Sequence, residues 1–222
     1  MKELILNAAL KTIAGLVLIA LLLFLPAGTF IYFGGLIFLG LLFIPLFIMG
    51  IILLIYNPKI VEKRLDCREK QRGQGFLVAV SGLIFVLGFI SAGLDFRFGI
   101  SNISSKIQTI ASIVFLIGYA LYFTVLFQNQ YLSRIITVSE NQRVIDTGLY
   151  STIRHPMYAA TILMFLSVPI ILGSYISLLI FIFYPAIIIK RIKLEERLLE
   201  RKLKGYKEYQ KKVKYRLLPY IW

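Results

Sequence analysis

The sequence has almost none of the side chains that build metal or disulfide sites. Among 222 residues it contains one cysteine, Cys67, and one histidine, His155. A single cysteine excludes an internal disulfide and a cysteine-based metal cluster. One histidine with scattered carboxylates forms no recognisable ligand set, so we predict no metal. The chain also contains neither a P-loop nor a GxGxxG pattern, the usual phosphate-binding loops.

Charged residues are scarce as well. They make up 16% of the chain, whereas hydrophobic residues make up 59%. A soluble globular domain has roughly 45–50% apolar and about 25% charged residues, so the composition predicts an integral membrane protein. The formal net charge is +14, but the basic residues fall in short blocks between apolar runs. This placement is typical of cytoplasmic loops that contact membrane lipids, and it argues against nucleic acid as a partner.

The apolar runs predict where the chain crosses the membrane. Each run is long enough for about 20 residues of helix. In the first part of the chain we predict four spans, at about 4–25, 31–56, 76–94 and 107–131. A basic stretch at 59–72 separates the second from the third and predicts a cytoplasmic loop with a short interfacial helix. Small residues in the fourth span would let another helix approach closely; they are Ala111, Ser112, Gly118 and Ala120.

A second apolar region, 158–189, follows the polar segment 132–157. Pro169, Gly173 and Ser174 lie near its centre, so we predict a helical hairpin. A basic helix is expected from 191 to about 204.

These elements predict an all-α polytopic membrane helix bundle. It would have about six membrane helices, including the C-terminal hairpin, and a cytosolic C-terminal helix. We predict a single integral membrane domain, 1–222, with a four-helix scaffold at 1–131 and a functional half at 132–222. With the N-terminus inside, the polar segment and the tail fall on the cytosolic side.

The single histidine lies in the densest polar motif. Arg154 precedes it, Pro156 follows it, and Tyr158 opens an apolar helix. Proline suits the first turn of a helix, where its missing N–H costs nothing. The free N–H groups of that turn, with Arg154 and His155, form a site for a carboxylate or phosphate. The alternative is a membrane anchor, with the arginine at lipid headgroups and the tyrosine in the aromatic belt.

Two adjacent carboxylates, Glu195 and Glu196, follow the last apolar run. Arg191 precedes Glu195 by four residues, which places both on one helix face. Ordinary solvated ion pairs explain such a pattern. The alternative is that one carboxylate faces inward at the membrane boundary and binds a cation or a hydroxyl-bearing ligand.

Together these motifs resemble the C-terminal half of the isoprenylcysteine carboxyl methyltransferases and the phospholipid methyltransferases. The resemblance covers roughly residues 140–219. It is carried by the hairpin and by Gly148-Leu149-Tyr150-x-x-x-Arg154-His155-Pro156-x-Tyr158, Arg191-x-x-x-Glu195-Glu196, Tyr206-x-x-Tyr209-x-x-x-Val213 and Tyr215-Arg216-Leu217-Leu218-Pro219.

The resemblance implies an S-adenosylmethionine-dependent methyltransferase in a prokaryotic inner membrane, with its active site facing the cytosol. The acceptor would be a lipophilic or prenylated molecule that offers a carboxylate, thiol or amine. Arg191 would orient an anionic acceptor, and His155 or Glu195 would be the base for an amine. The implied cofactor pocket consists of Tyr150, Arg154, His155, Pro156, Tyr158, Glu195 and Glu196.

Two other functions fit parts of the sequence. Membrane sterol reductases bind NADPH and share an Arg-His-Pro-Asn-Tyr-like motif, but Met157 replaces the asparagine here. Thr161 also follows Ala159-Ala160 where those enzymes often carry Gly-Glu, and the carboxylate pair favours a methyltransferase. The third alternative is a non-enzymatic membrane scaffold or lipid-binding protein.

Overall fold

A computed structural model describes residues 2–65, 74–132, 138 and 142–222. Within these ranges the regular structure is helical. The helices are α1 Lys2–Ala27, α2 Phe33–Tyr56, α3 Pro58–Leu65, α4 Gln74–Phe98, α5 Ser105–Gln128, a 3₁₀ turn Gly148–Ser151, α6 Pro156–Ile171, α7 Tyr175–Phe181, α8 Tyr184–Lys202 and α9 Tyr206–Lys212.

Five of these helical stretches are long and apolar enough to span a membrane. They are α1, α2, α4, α5 and the joined α7–α8 stretch, Tyr175–Lys202. Helix α6 is also apolar but shorter, with 16 residues. The predicted all-α membrane bundle is confirmed, and α6 with α7–α8 forms the predicted hairpin.

The second arm of the hairpin continues further than the sequence predicts. We expected the apolar arm to end near 189 and a separate helix to begin at 191, but α8 passes through this boundary without a break. The interruption lies earlier, between α7 and α8, directly before Pro185 in the first turn of α8, where a missing N–H costs little. Arg191, Glu195 and Glu196 therefore belong to the same helix as the membrane arm.

Helix α5 packs along α6, as the small residues of α5 predicted. A Cβ added at Gly118 would lie 2.7 Å from Met164 Cγ and 3.2 Å from the backbone oxygen of Ala160. This close approach fixes α6 against α5 and so positions the polar segment that precedes α6.

At the far end of the bundle, Asp95 ties α4 to the hairpin turn. The sequence predicted that the third span ends at Leu94, but α4 continues to Phe98 and Asp95 is 1% exposed. The carboxylate accepts hydrogen bonds from the backbone N–H and the hydroxyl of Ser101, each at 2.7 Å, and from the Ser174 hydroxyl. These donors satisfy the buried oxygens of Asp95.

Helix α3 is the short helix predicted within the basic stretch. Its Ile60 is 2% exposed and packs with residues of α2 and α5, including Leu126. Lys11 of α1 donates a hydrogen bond from Nζ to the backbone oxygen of Leu65, at 2.6 Å, and so holds the end of α3. The rest of the stretch, including Cys67, lies outside the described residues.

Candidate active site

The end of α5 shapes the turn that leads to the histidine motif. Gly148 has a φ of +60°, a conformation that favours glycine, and a Cβ there would meet the Gln128 side chain. Gln128 Oε1 accepts a hydrogen bond from the Leu149 backbone N–H at 3.0 Å. The Asn129 side chain donates to the Tyr150 hydroxyl at 3.1 Å. These contacts set the direction in which the chain enters α6.

The C-terminal tail pairs with the histidine motif. The backbone N–H of Arg154 donates to Tyr215 O and that of His155 donates to Arg216 O, both at 2.9 Å. Arg154 Nη1 also donates to Val213 O at 2.7 Å. The tail residues that carry part of the family resemblance therefore lie directly beside the histidine motif.

Glu196 lies at the centre of a buried ion cluster. Its Oε1 is 2.7 Å from Arg154 Nε and 3.2 Å from His155 Nε2, and its Oε2 is 2.7 Å from Arg216 Nε. Glu196 is only 3% exposed, and a carboxylate at such a place needs several N–H partners. The cluster joins three segments of the chain. Arg216 is part of the tail motif, but the sequence did not predict that it pairs with Glu196, because no local pattern links the two residues.

Glu195 makes different contacts from its neighbour. The Tyr158 hydroxyl donates a 2.6 Å hydrogen bond to Glu195 Oε2 and accepts one from Arg191 Nε at 3.1 Å. The predicted common face of Arg191 and Glu195 is confirmed, since both reach the same tyrosine. Successive residues of an α-helix point about 100° apart, which separates the directions of Glu195 and Glu196.

An open cleft lies between the start of α6, α8 and α9. It has about 820 Å³ of atom-free space, its mouth included. Six predicted site residues line this cleft: Tyr150, Arg154, His155, Tyr158, Arg191 and Glu195. Two predicted pocket residues do not. Pro156 is buried in the first turn of α6, and Glu196 lies in the ion cluster behind the wall.

Two tyrosines of α9 complete the cleft. The Tyr209 hydroxyl donates to Tyr150 O at 2.7 Å, whereas the buried Tyr206 hydroxyl has no hydrogen-bond partner in the described part of the chain. Burial raises the pKa of both tyrosines, so both hydroxyls keep their protons at neutral pH. Their spacing in the sequence was part of the resemblance, but it did not indicate which hydroxyl lacks a described hydrogen-bond partner.

The cleft can hold a ligand with both charges and hydroxyl groups. Glu195 offers a carboxylate, Arg154 brings a positive charge and His155 an imidazole to the wall, and Tyr206 has a hydroxyl without a described partner. Among the described residues, no group of three or more His, Cys, Asp or Glu side chains is arranged to hold a metal ion.

The chain resembles known proteins over this region. Residues 110–201 match the model of the isoprenylcysteine carboxyl methyltransferase (ICMT) family. A solved structure of the eukaryotic intramembrane Ras methyltransferase ICMT is similar, with a TM-score of 0.59 and 18% identity over 96% of this chain and 77% of that one. At this identity the likeness shows a shared fold. No curated protein sequence is significantly similar. The matched segment contains both the histidine motif and Glu195-Glu196, and the solved structure shares the fold of this chain.

Proposed function

We propose that the chain is an S-adenosylmethionine-dependent methyltransferase that acts on a lipophilic acceptor at the membrane boundary. The observation that carries this proposal is the cleft. It brings a carboxylate, two basic residues and buried tyrosines from separate segments to one end of a membrane-spanning hairpin. The family match favours methyl transfer over the NADPH-dependent reductase and the scaffold.

The side chains of the cleft fit this cofactor. Glu195 would hold its ammonium group or its ribose hydroxyls, and Arg154, with the imidazole of His155 beside it, would supply the positive charge for its carboxylate. The Tyr206 hydroxyl is buried and has no partner among the described residues, so a ligand oxygen there would satisfy it. Aromatic faces in the cleft suit a sulfonium, because a cation is attracted to the face of a ring.

Glu196 would act by positioning rather than by contact. Its carboxylate holds Arg154 and His155 from behind, and those two residues line the cleft. Loss of Glu196 would therefore disturb the cofactor site through the orientation of its neighbours. This role differs from that of Glu195, which faces the cleft itself.

The bound cofactor supplies an electrophilic methyl group on a sulfonium sulfur. The work of the protein is then to orient the acceptor and exclude water. Arg191 would orient an anionic acceptor, and a carboxylate or thiolate needs no base. An amine must lose a proton, and Glu195 is better placed to take it than His155, because Nε2 of His155 faces Glu196.

The arrangement in the membrane follows from the same proposal. The helices of 1–131 would act as a scaffold, and 132–222 would bind the cofactor. The basic residues Lys59, Lys63 and Arg64 of α3 support a cytosolic position for this end of the bundle. The acceptor would reach the cleft from the bilayer. That this membrane is the inner membrane of a prokaryote stays a prediction.

Calorimetry on the protein in micelles tests the proposal. S-adenosylmethionine and its demethylated product, S-adenosylhomocysteine, should both bind, and NADPH should not. Binding of NADPH together with no response to either S-adenosyl compound would reject the methyltransferase. Incubation of membranes with methyl-labelled cofactor, followed by separation of lipid, protein and small molecules, then shows which class accepts the methyl group.

A further inference from the structure

Arg64 of α3 is a cation that the proposed function does not use. Its Nη2 lies 3.1 Å from Met157 Sδ, and its Cζ lies 5.1 Å from the centre of the Tyr122 ring. Met157 is in the first turn of α6 and lines the cleft. A charge from the N-terminal half of the chain therefore reaches the back of the cleft wall.

The position of Arg64 is held by the fold. The end of α3 is fixed by the hydrogen bond from Lys11 to Leu65 O, and its buried side, at Ile60, packs against α2 and α5. Lys63, the neighbouring residue, donates to Gln130 O, two residues after α5 ends. With these anchors on both sides, Arg64 is directed towards α6 by a packed helix.

Arg64 forms no ion pair with any of the residues that the structure describes. Its Nε is buried and has no hydrogen-bond acceptor in the described parts of the chain. The two carboxylates beside the cleft already have other partners: Glu196 is in the ion cluster and Glu195 accepts from Tyr158. A guanidinium has five N–H donors, and a sulfur and a ring face satisfy few of them. Among the described residues, the guanidinium of Arg64 thus lacks an anionic partner.

The charge of Arg64 acts on the cleft itself. Burial raises the pKa of the Tyr150 hydroxyl, and the positive charge of Arg64 opposes part of that rise. Tyr150 lines the cleft. An anion that entered beside Tyr150 and Met157 would therefore lie in the field of Arg64.

We propose that Arg64 is a specificity-determining residue, which pairs with a negatively charged carboxylate or phosphate headgroup of the lipophilic methyl acceptor. This inference rests on the proposed function. The Met157 side chain is unbranched and adaptable, so it can yield its place beside the guanidinium to the acceptor's anion. The planar fork of an arginine matches both kinds of oxyanion, and the membrane boundary strengthens the pairing.

Binding of three probes with the same tail tests Arg64. Dodecanoate, dodecyl phosphate and dodecanol are titrated into the full-length protein in nanodiscs of zwitterionic lipid, with and without S-adenosylhomocysteine. The wild type should bind at least one anionic probe about tenfold more tightly than the alcohol, as a charged hydrogen bond predicts. Arg64→Gln should remove this preference and leave dodecanol binding unchanged. Arg64→Lys keeps the charge without the fork and should retain part of the preference.

Lys59→Gln is the matched control, because Lys59 is an exposed cation of the same helix. It should keep the full preference. Equal binding of the three probes by the wild type would overturn the proposal even if Arg64→Gln failed to fold. Retention of the preference in Arg64→Gln, or an equal loss in Lys59→Gln, would overturn it too. Absence of S-adenosylhomocysteine binding in the wild type would instead count against the proposed function.

Discussion

Arg154 Nε lies 2.7 Å from Glu196 Oε1 in a buried ion pair that joins the segment before α6 to α8. The two residues are 42 positions apart in the sequence. Removal of one member of a buried pair leaves the other charge without compensation. The pair therefore holds two walls of the cleft at a fixed separation, and the stability of the protein depends on it.

Glu196→Gln should lower the free energy of unfolding by about 3 kcal/mol, because two arginines lose their counter-charge. Denaturant unfolding in detergent micelles measures this change. Glu200→Gln is the control, since Glu200 is an exposed glutamate of the same helix whose contact with Gln210 is on the surface. Its effect should stay below about 0.5 kcal/mol. Equal effects of the two changes would contradict the role of Glu196 as a buried ion partner.

Glu195→Gln should weaken ligand binding and leave stability nearly unchanged, in contrast to Glu196→Gln. Its carboxylate lines the cleft, so we expect S-adenosylhomocysteine to bind about tenfold more weakly, as for loss of one charged hydrogen bond. Stability should change little, because a glutamine oxygen still accepts the hydrogen bond from Tyr158. Calorimetry gives the affinity and denaturant unfolding gives the stability. An unchanged affinity would remove Glu195 from the cofactor site.

Tyr206→Phe and Tyr209→Phe make the same chemical change at two positions of α9. Loss of the Tyr206 hydroxyl should not lower stability, because that hydroxyl has no described protein partner, but it should weaken S-adenosylhomocysteine binding by about threefold to tenfold. Loss of the Tyr209 hydroxyl should cost about 1 kcal/mol of stability, because it donates to Tyr150 O. Both quantities can be measured on the same preparations. If the two variants behave alike, the ligand-facing role of Tyr206 is wrong.

Gly118→Ala should destabilise the protein by about 1–3 kcal/mol, the usual cost of an extra methyl group in a packed interface. The added Cβ would crowd Met164 and the backbone of Ala160 where α5 meets α6. Gly82→Ala serves as the control, since a Cβ at Gly82 would meet no atom within 4 Å. Thermal unfolding in micelles should show a lower midpoint temperature for Gly118→Ala and no lowering of the midpoint for Gly82→Ala. A similar response in both would mean that α5 and α6 are not closely packed there.

Much of the fold could be predicted from composition and spacing. Long apolar runs leave a membrane helix as the main option, since a lipid-exposed backbone must satisfy its own hydrogen bonds. The small side chain at Gly118 likewise predicted a close helix contact, which the structure confirms. The boundary at 190 was harder, because a helix does not end where its surroundings change from lipid to water. Helix α8 runs through that boundary.

The site was predictable as a set of motifs, but the role of each member was not. Glu195 and Glu196 are indistinguishable in the sequence, as are the hydroxyls of Tyr206 and Tyr209. A helix turns neighbouring residues in different directions, and the packing of α8 and α9 against the rest of the chain decides which of them faces the cleft. The structure places Glu195 there and holds Glu196 behind the wall.

By itself, the sequence determined the chemical class of this protein: an apolar helical chain, with one concentrated polar motif beside the membrane. Only the tertiary structure decided which charges are paired. Arg216 completes the cluster around Glu196, whereas Arg64 lies against Met157 of the cleft wall without a described counter-ion. The physical reason is that ion pairs depend on distances of a few ångströms between segments far apart in the chain. Those distances are set by helix packing and leave no local trace in the sequence.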